Sequence, residues 1–189
     1  MPRIFLVASG AVLTFSLAVA GCQSGASDQV TSPVGSIEPT ATATKDAAAL
    51  AQAQEWLDAA NLPPGAVRTD TPPASFNSYQ DWPCGPYEEL EGYWVIAGTT
   101  VAEAANWMIQ NPTADLMTTH VGLVPEDGVS FDGATVGYVP AADSQEGIVY
   151  TVARTGDGVA VKAEVAAQTD TATCPELPHG ESYGAPGQG

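Results

Sequence analysis

Hydrophobic and polar positions divide this chain into stretches of very different character. An apolar run from Ile4 to Ala20 follows a single basic residue, Arg3, and ends in the small residues Ala20 and Gly21 before Cys22. A short positive region, an apolar core and small residues at a cut point are what export machinery requires of a signal peptide. From Gln23 to Thr44 the chain is Ser, Thr, Ala, Gly and Pro with almost no large apolar residue. It cannot repay its own ordering entropy, and is expected to be a disordered linker. Helical periodicity begins at Asp46, a plausible N-cap: Leu50, Ala53, Trp56, Leu57 and Ala60 form one apolar stripe, ended by Asn61 and the prolines after Leu62. A second helix is predicted after Thr100, where Thr100-Val101-Ala102-Glu103 has capping-box spacing. Val101, Ala104, Ala105, Met108 and Ile109 then repeat at i, i+3, i+4, i+7 and i+8 up to Asn111-Pro112.

The other ordered stretches alternate with the period of strands. Tyr93 to Gly98, Thr118 to Val124, Ala134 to Val139, Ile148 to Arg154 and Val159 to Ala167 are β-prone, separated by Gly-, Pro- and Asp-rich turns. In the last run Val159, Val161, Ala163 and Val165 alternate with Ala160, Lys162, Glu164 and Ala166, which predicts one buried and one wet face. Val67 to Gly92 reads as irregular. The expected fold is α+β: two helices packed on one face of a mostly antiparallel sheet of four or five strands. The domain organisation is a leader over 1–21, a lipidated cysteine and linker over 22–45, one domain over 46–174 and a loose Pro- and Gly-rich tail over 175–189.

The leader's end, Val19-Ala20-Gly21-Cys22, resembles a bacterial lipobox. The resemblance implies cleavage after Gly21 and a diacylglycerol thioether on Cys22, which would tether the chain to the membrane from outside the cytoplasm. At about 0.8 kcal/mol per buried methylene, two or three acyl chains make that tether permanent. A flexible linker of this length holds the domain about 25 Å from the membrane on average. Further on, a helix running into Leu62-Pro63-Pro64-Gly65-Ala66, a Trp-bearing strand, a Val-led helix ending near a proline and a C-terminal hairpin together resemble a group of uncharacterised actinobacterial secreted proteins and lipoproteins. That similarity covers about residues 48–167 and implies a compact domain, with no activity, ligand or catalytic residue to carry over. The pair Cys84 and Cys174 departs from the group.

Charge narrows the partners. Five basic residues stand against 22 acids, a formal net charge of −17, and loss of Arg3 with the leader deepens it. No Lys/Arg stripe exists from which counterion release could drive binding to a phosphate backbone, so nucleic acid is not an expected partner. The acids are scattered, as on a solvated, self-repelling surface.

With Cys22 lipidated, Cys84 and Cys174 are an even pair in an exported chain, which favours a disulfide. The rival reading, Cys84 as a nucleophile with His120 or His179 as base, has no motif to support it. Neither histidine has metal-ligand spacing, and Pro125 to Gly133 lacks the alternating oxygens of a calcium loop, so no metal and no cofactor is expected. Trp56 reads as a core anchor; Trp82 and Trp107 are the candidate partner contacts. Carboxylate pairs such as Glu88 with Asp115 can be named for a glycosidase-like reaction only by choosing among many acids. The leading functional expectation is a non-catalytic binding or interaction module of the cell envelope, with an envelope protein as a possible partner. The alternatives are a small extracellular hydrolase using carboxylates, and a small-ligand carrier with its cavity between helices and sheet.

Overall fold

The computed structural model describes residues 45–77, 80–128 and 130–188; Cys22, the leader and the linker up to residue 44 lie outside the described residues. Two helices, α1 (Ala47–Asp58) and α2 (Val101–Gln110), accompany six strands: β1 (Val67–Thr69), β2 (Gly85–Ala97), β3 (Met117–Thr118), β4 (Gly133–Val139), β5 (Gly147–Arg154) and β6 (Gly158–Thr173). The strands form one sheet in the order β1-β2-β6-β5-β4-β3, every neighbouring pair antiparallel. The α+β class and the two helices match the expectation; the sheet has six strands where four or five were expected.

Both helices start where the chain supplies caps. The Asp46 carboxylate accepts from the amides of Ala48 and Ala49, both at 3.0 Å. Thr100 and Glu103 form the reciprocal capping box. Both helices lie on one face of the sheet, α1 over β2, β5 and β6, α2 over β4, β5 and β6. The core between them takes Ala53, Trp56 and Leu57 from α1, Ala105 and Met108 from α2, and alternate residues of the strands, among them Trp94, Ile96, Val136, Val152, Val161 and Val165. Two tyrosines cross this core to meet polar groups beyond it. The Tyr138 hydroxyl donates to the Met108 carbonyl near the end of α2, and the Tyr150 hydroxyl lies 2.7 Å from that of Thr113, which also accepts from the Asn61 amide. Burial raises the pKa of both phenols, so they serve as neutral hydrogen-bonding struts.

Three segments differ from expectation. The stretch before Gly92, read as irregular, is the first half of β2, with Tyr87 to Glu91 paired to Gln168 to Glu164. Its Glu-rich sequence has poor strand propensity, and the pairing of an equally long β6 overrides it. The run Thr118 to Val124 is a strand only at its start; beyond it Val121 and Leu123 are exposed. The tail is not loose. Its residues 183–188 return across the sheet, where Pro186 is buried, and Thr119 and Thr135 donate to the carbonyls of Pro186 and Gly187, each at 2.9 Å.

Candidate functional site: a polar cavity on the second face of the sheet

The face away from the helices, expected to be wet, is largely covered. Alternation places Glu89, Glu91, Tyr93 (β2), Ala160, Lys162, Glu164, Ala166 (β6), Val149, Thr151, Ala153 (β5) and Thr135, Gly137 (β4) on it. Ala160, Glu164 and Ala166 are nevertheless buried. Two segments cover parts of this face. Trp82 lies on Val149 and Ala166, with Tyr87 beside it, and the C-terminal tail lies over Gly137, where any side chain would strike Pro186.

Sequence and structure agree on the disulfide: Cys84 and Cys174 are bonded. The bridge joins the residue before β2 to the residue after β6, closing the ladder that begins with Gly85 opposite Thr173. A thiol nucleophile at Cys84 is thereby removed. Trp82 is 5% exposed, its ring spent on the sheet and its indole donating to Glu89 at 3.3 Å, so it is not a surface contact. Trp107 is half-buried, packed against the edge of the core. His120 is hydrogen-bonded through Nε2 to the Thr135 carbonyl at 2.7 Å. Of the trial carboxylates, Glu88 accepts from the Asp46 amide at the start of α1 (2.8 Å), while Asp115 is exposed in the connection between α2 and β3. Among the described residues no cluster of His, Cys, Asp and Glu has the arrangement of a metal site.

Charge on the covered face is organised around Lys162. Glu91 and Glu164 stand directly opposite each other across β2 and β6, a repulsive pairing by itself. The Lys162 ammonium bridges them at 2.8 and 3.0 Å. Burial alone would lower the lysine pKa, but its bonds and attraction to Glu91 and Glu164 outweigh burial and raise it. Burial would likewise raise Glu91; hydrogen bonds from Lys162 and Tyr93 reverse that and hold it below the usual carboxylate value. Burial raises Glu89, and the charges of Glu164 and Glu91 add to the rise against the lowering effect of the Trp82 bond. This is the chemistry of a structural ion cluster.

Between the tail, the β4-β5 surface and Ser75, Asn77, Gln80, Asp81 and Pro83 lies a cavity of about 730 Å³. Val149, Thr151 and Ala153 contribute from β5, Thr135 from β4, and Asn77, Gln80 and Gln145 from the surrounding loops. Loop and tail are linked where the Gly187 amide donates to Gln80 Oε1 at 3.0 Å. Gln145 donates to the Gly184 carbonyl at 3.2 Å. Thr151 is 6% exposed, and its hydroxyl has no hydrogen-bond partner among the described residues. Sequence reasoning missed this site because it depends on the tail's return and on the Asp81 and Pro83 segment lying over the sheet. The one available signal was the disulfide, which places the Trp82 segment beside the end of β6.

No protein-family model, curated protein or solved structure matches the chain.

Proposed function

We propose that the protein is a non-catalytic binding module of the cell envelope, tethered outside the cytoplasm through Cys22, and that the cavity on the second face of the sheet is where it binds. The observation that carries this reading is the cavity of about 730 Å³ bounded by the tail and by β4 and β5, which Asn77, Gln80, Thr135 and Gln145 help to line. The cavity's volume falls within the range of about 300–1,000 Å³ typical of small-molecule sites. Its position supports a ligand carrier with the site opposite the helices, not between helices and sheet. A carboxylate hydrolase finds less support: Glu91 and Glu164 are engaged by one lysine.

The test is a fragment screen observed by NMR on the full chain. Amide shifts confined to Thr135, Val149 to Ala153 and Gly184 to Gln188 are expected for the compounds that bind. Compounds that move only resonances of α1 and α2, or a complete library that moves none, would refute the assignment of the cavity as the binding site.

A further inference from the structure

We infer that the groove in which the C-terminal tail lies is a binding site for a Pro-Gly turn, and that the tail of a second copy of this chain takes it in exchange for the chain's own. The groove adjoins the cavity but is built from contacts of its own, so it stands whether or not the cavity holds a small molecule.

The tail enters as a preformed shape. Ala185-Pro186-Gly187-Gln188 is closed by the Gln188 amide, which donates to the Ala185 carbonyl at 3.1 Å, and Gly187 has φ +77°. Proline at the second position and a glycine of positive φ at the third are the features of a type II turn. Such a turn loses little freedom on docking, because proline has fixed one torsion beforehand.

The groove reads the turn residue by residue. Gln145 donates to the Gly184 carbonyl at 3.2 Å. Pro186 is buried, and its carbonyl accepts from Thr119 at 2.9 Å. Gly187 is held on both sides, its amide donating to Gln80 Oε1 at 3.0 Å and its carbonyl accepting from Thr135 at 2.9 Å. The Gln188 side-chain amide donates to the Thr119 carbonyl. Position 187 is restricted to glycine, since a Cβ there would lie 2.8 Å from both Cα and N of Gly137 and its φ is in the left-handed region. A cover that only excluded water would need apolar bulk. This one engages main-chain groups at successive positions and seats one proline, which is how peptide grooves combine affinity with selection.

The groove is also separable from its occupant. Among the described residues of the tail, 183–188, Pro186 alone is buried, so the segment can leave without disturbing the core. The loop before it, 175–182, is exposed apart from Leu177. It is closed on itself by the Tyr183 hydroxyl donating to the Pro175 carbonyl at 2.6 Å and the Glu181 amide donating to the Pro178 carbonyl at 3.1 Å. Extended, this loop spans at most about 28 Å, enough to carry the turn to the groove of an adjoining copy. Residues 182–188 bear no charged side chain, so the turn itself meets no repulsion from a partner of net charge −17. A short linker gives the cis tail an effective concentration on the order of millimolar. At micromolar concentration the full chain should therefore be monomeric, with exchange requiring crowding.

The experiment uses full-length variants that each lack one half of the contact. Gly187→Val has a free groove and a tail that cannot enter it; Gly137→Ala has a competent tail and a blocked groove. A synthetic peptide of residues 180–189 should bind Gly187→Val saturably, with amide shifts at Thr119, Thr135 and Gly137. Wild type should bind it at least about tenfold more weakly, because its own tail competes. A peptide carrying Gly187→Ala should bind Gly187→Val about tenfold more weakly than the natural one. Mixed together, the two variants should sediment as a one-to-one complex at concentrations where each alone is a monomer, and added salt should tighten that complex by screening the repulsion between two acidic chains. Thr119→Val, which removes the donor to Pro186, takes the place of Gly137→Ala if that chain does not fold. A Gly187→Val chain with the wild-type core spectrum that leaves the peptide unbound overturns the site. Equal binding of the Gly187→Ala peptide overturns its selection of the turn. Peptide binding without a mixed complex overturns the second copy as its occupant.

Discussion

Gly137 and Pro186 approach so closely that a Cβ placed on the glycine would lie 2.0 Å from the proline carbonyl oxygen. A glycine within a strand weakens it unless another backbone needs the space, and here the C-terminal tail does. The same built Cβ would stand 2.7 Å from Thr119 Oγ1, the hydroxyl that donates to Pro186. Gly137→Ala should therefore lift the tail from β4 and forfeit the bonds from Thr119 and Thr135, at a cost of about 1–3 kcal/mol in stability. Carboxypeptidase trimming provides the readout. The wild-type tail should resist digestion up to the buried Pro186, and the variant's should be removed at the rate of an unstructured peptide. Equal resistance would mean that the tail is held elsewhere.

The disulfide should matter through the unfolded chain. It joins residues 90 apart in sequence, and on the chain-entropy account its removal costs about 4 kcal/mol. Cys84 is fully buried, so the double variant Cys84→Ala/Cys174→Ala is the cleaner comparison, leaving no thiol to react. Denaturant unfolding should show that loss. Hydrogen exchange should rise first at the Gly85 to Glu89 end of β2, beside the removed bridge. A double variant as stable as wild type would show that the long β2-β6 ladder already restrains the denatured chain.

What the sequence made legible follows from how local each signal is. The capping box at Thr100 and Glu103 and the Asp46 cap are complete within four residues, and both helices begin where those signals lie. Val159 to Val165 shows its buried face by simple alternation, and that face packs under the helices. The opposite face was misjudged because alternation reports only that Ala160, Glu164 and Ala166 differ from their neighbours. It does not report that Trp82 comes back to cover Ala166, or that Lys162 bonds Glu164. Tyr87-Glu88-Glu89-Leu90-Glu91 illustrates the same limit: a strand by virtue of its partner on β6, not of its own propensity. The cavity has no sequence signature, since its walls meet only when the tail returns over β4 and β5.

Lys162 holds apart the charges of Glu91 and Glu164. Replacing it by methionine leaves two carboxylates facing each other across the ladder, one of them with a side chain only 7% exposed. The cost at neutral pH should be about 2–3 kcal/mol, between the values for exposed and for fully buried pairs, because Glu91 is 43% exposed. The loss depends on pH in a defined direction. Glu91's folded pKa lies below its ordinary 4.5, so its contribution is present above that value and is lost as the pH falls through the folded one. Lysine's folded pKa lies above its ordinary 10.5, so its contribution is present below 10.5 and disappears as the pH rises through the folded value. The difference in melting temperature between wild type and Lys162→Met should be greatest on the plateau between these limits and shrink on both sides. A difference independent of pH would assign the effect to packing of the lysine stem.

Glu89 should show the opposite sign. Its folded pKa is raised, first by burial and then by the neighbouring glutamates, so ionising it opposes folding once the pH exceeds the ordinary 4.5. Glu89→Gln keeps an oxygen to accept from the Trp82 indole and removes the charge. It should melt higher than wild type at pH 7 and equally at a pH below 4.5, where the wild-type side chain is protonated in both states. If the variant is less stable at both, the Trp82 bond outweighs the repulsion, and the indole is held by the carboxylate itself.

The tether predicts a separation of location from fold. Acylation at Cys22 would fix the chain to the membrane through about 0.8 kcal/mol per buried methylene, while the described domain begins more than twenty residues later and makes its own core. Cys22→Ala should thus move the protein from the membrane pellet to the soluble extracytoplasmic fraction without changing its melting temperature. Labelling with a radioactive or clickable fatty acid should mark the wild-type chain and not the variant. Unlabelled wild-type protein that still pellets would point to an uncleaved apolar leader as the anchor. Label on the Cys22→Ala chain would place the acyl group on another residue.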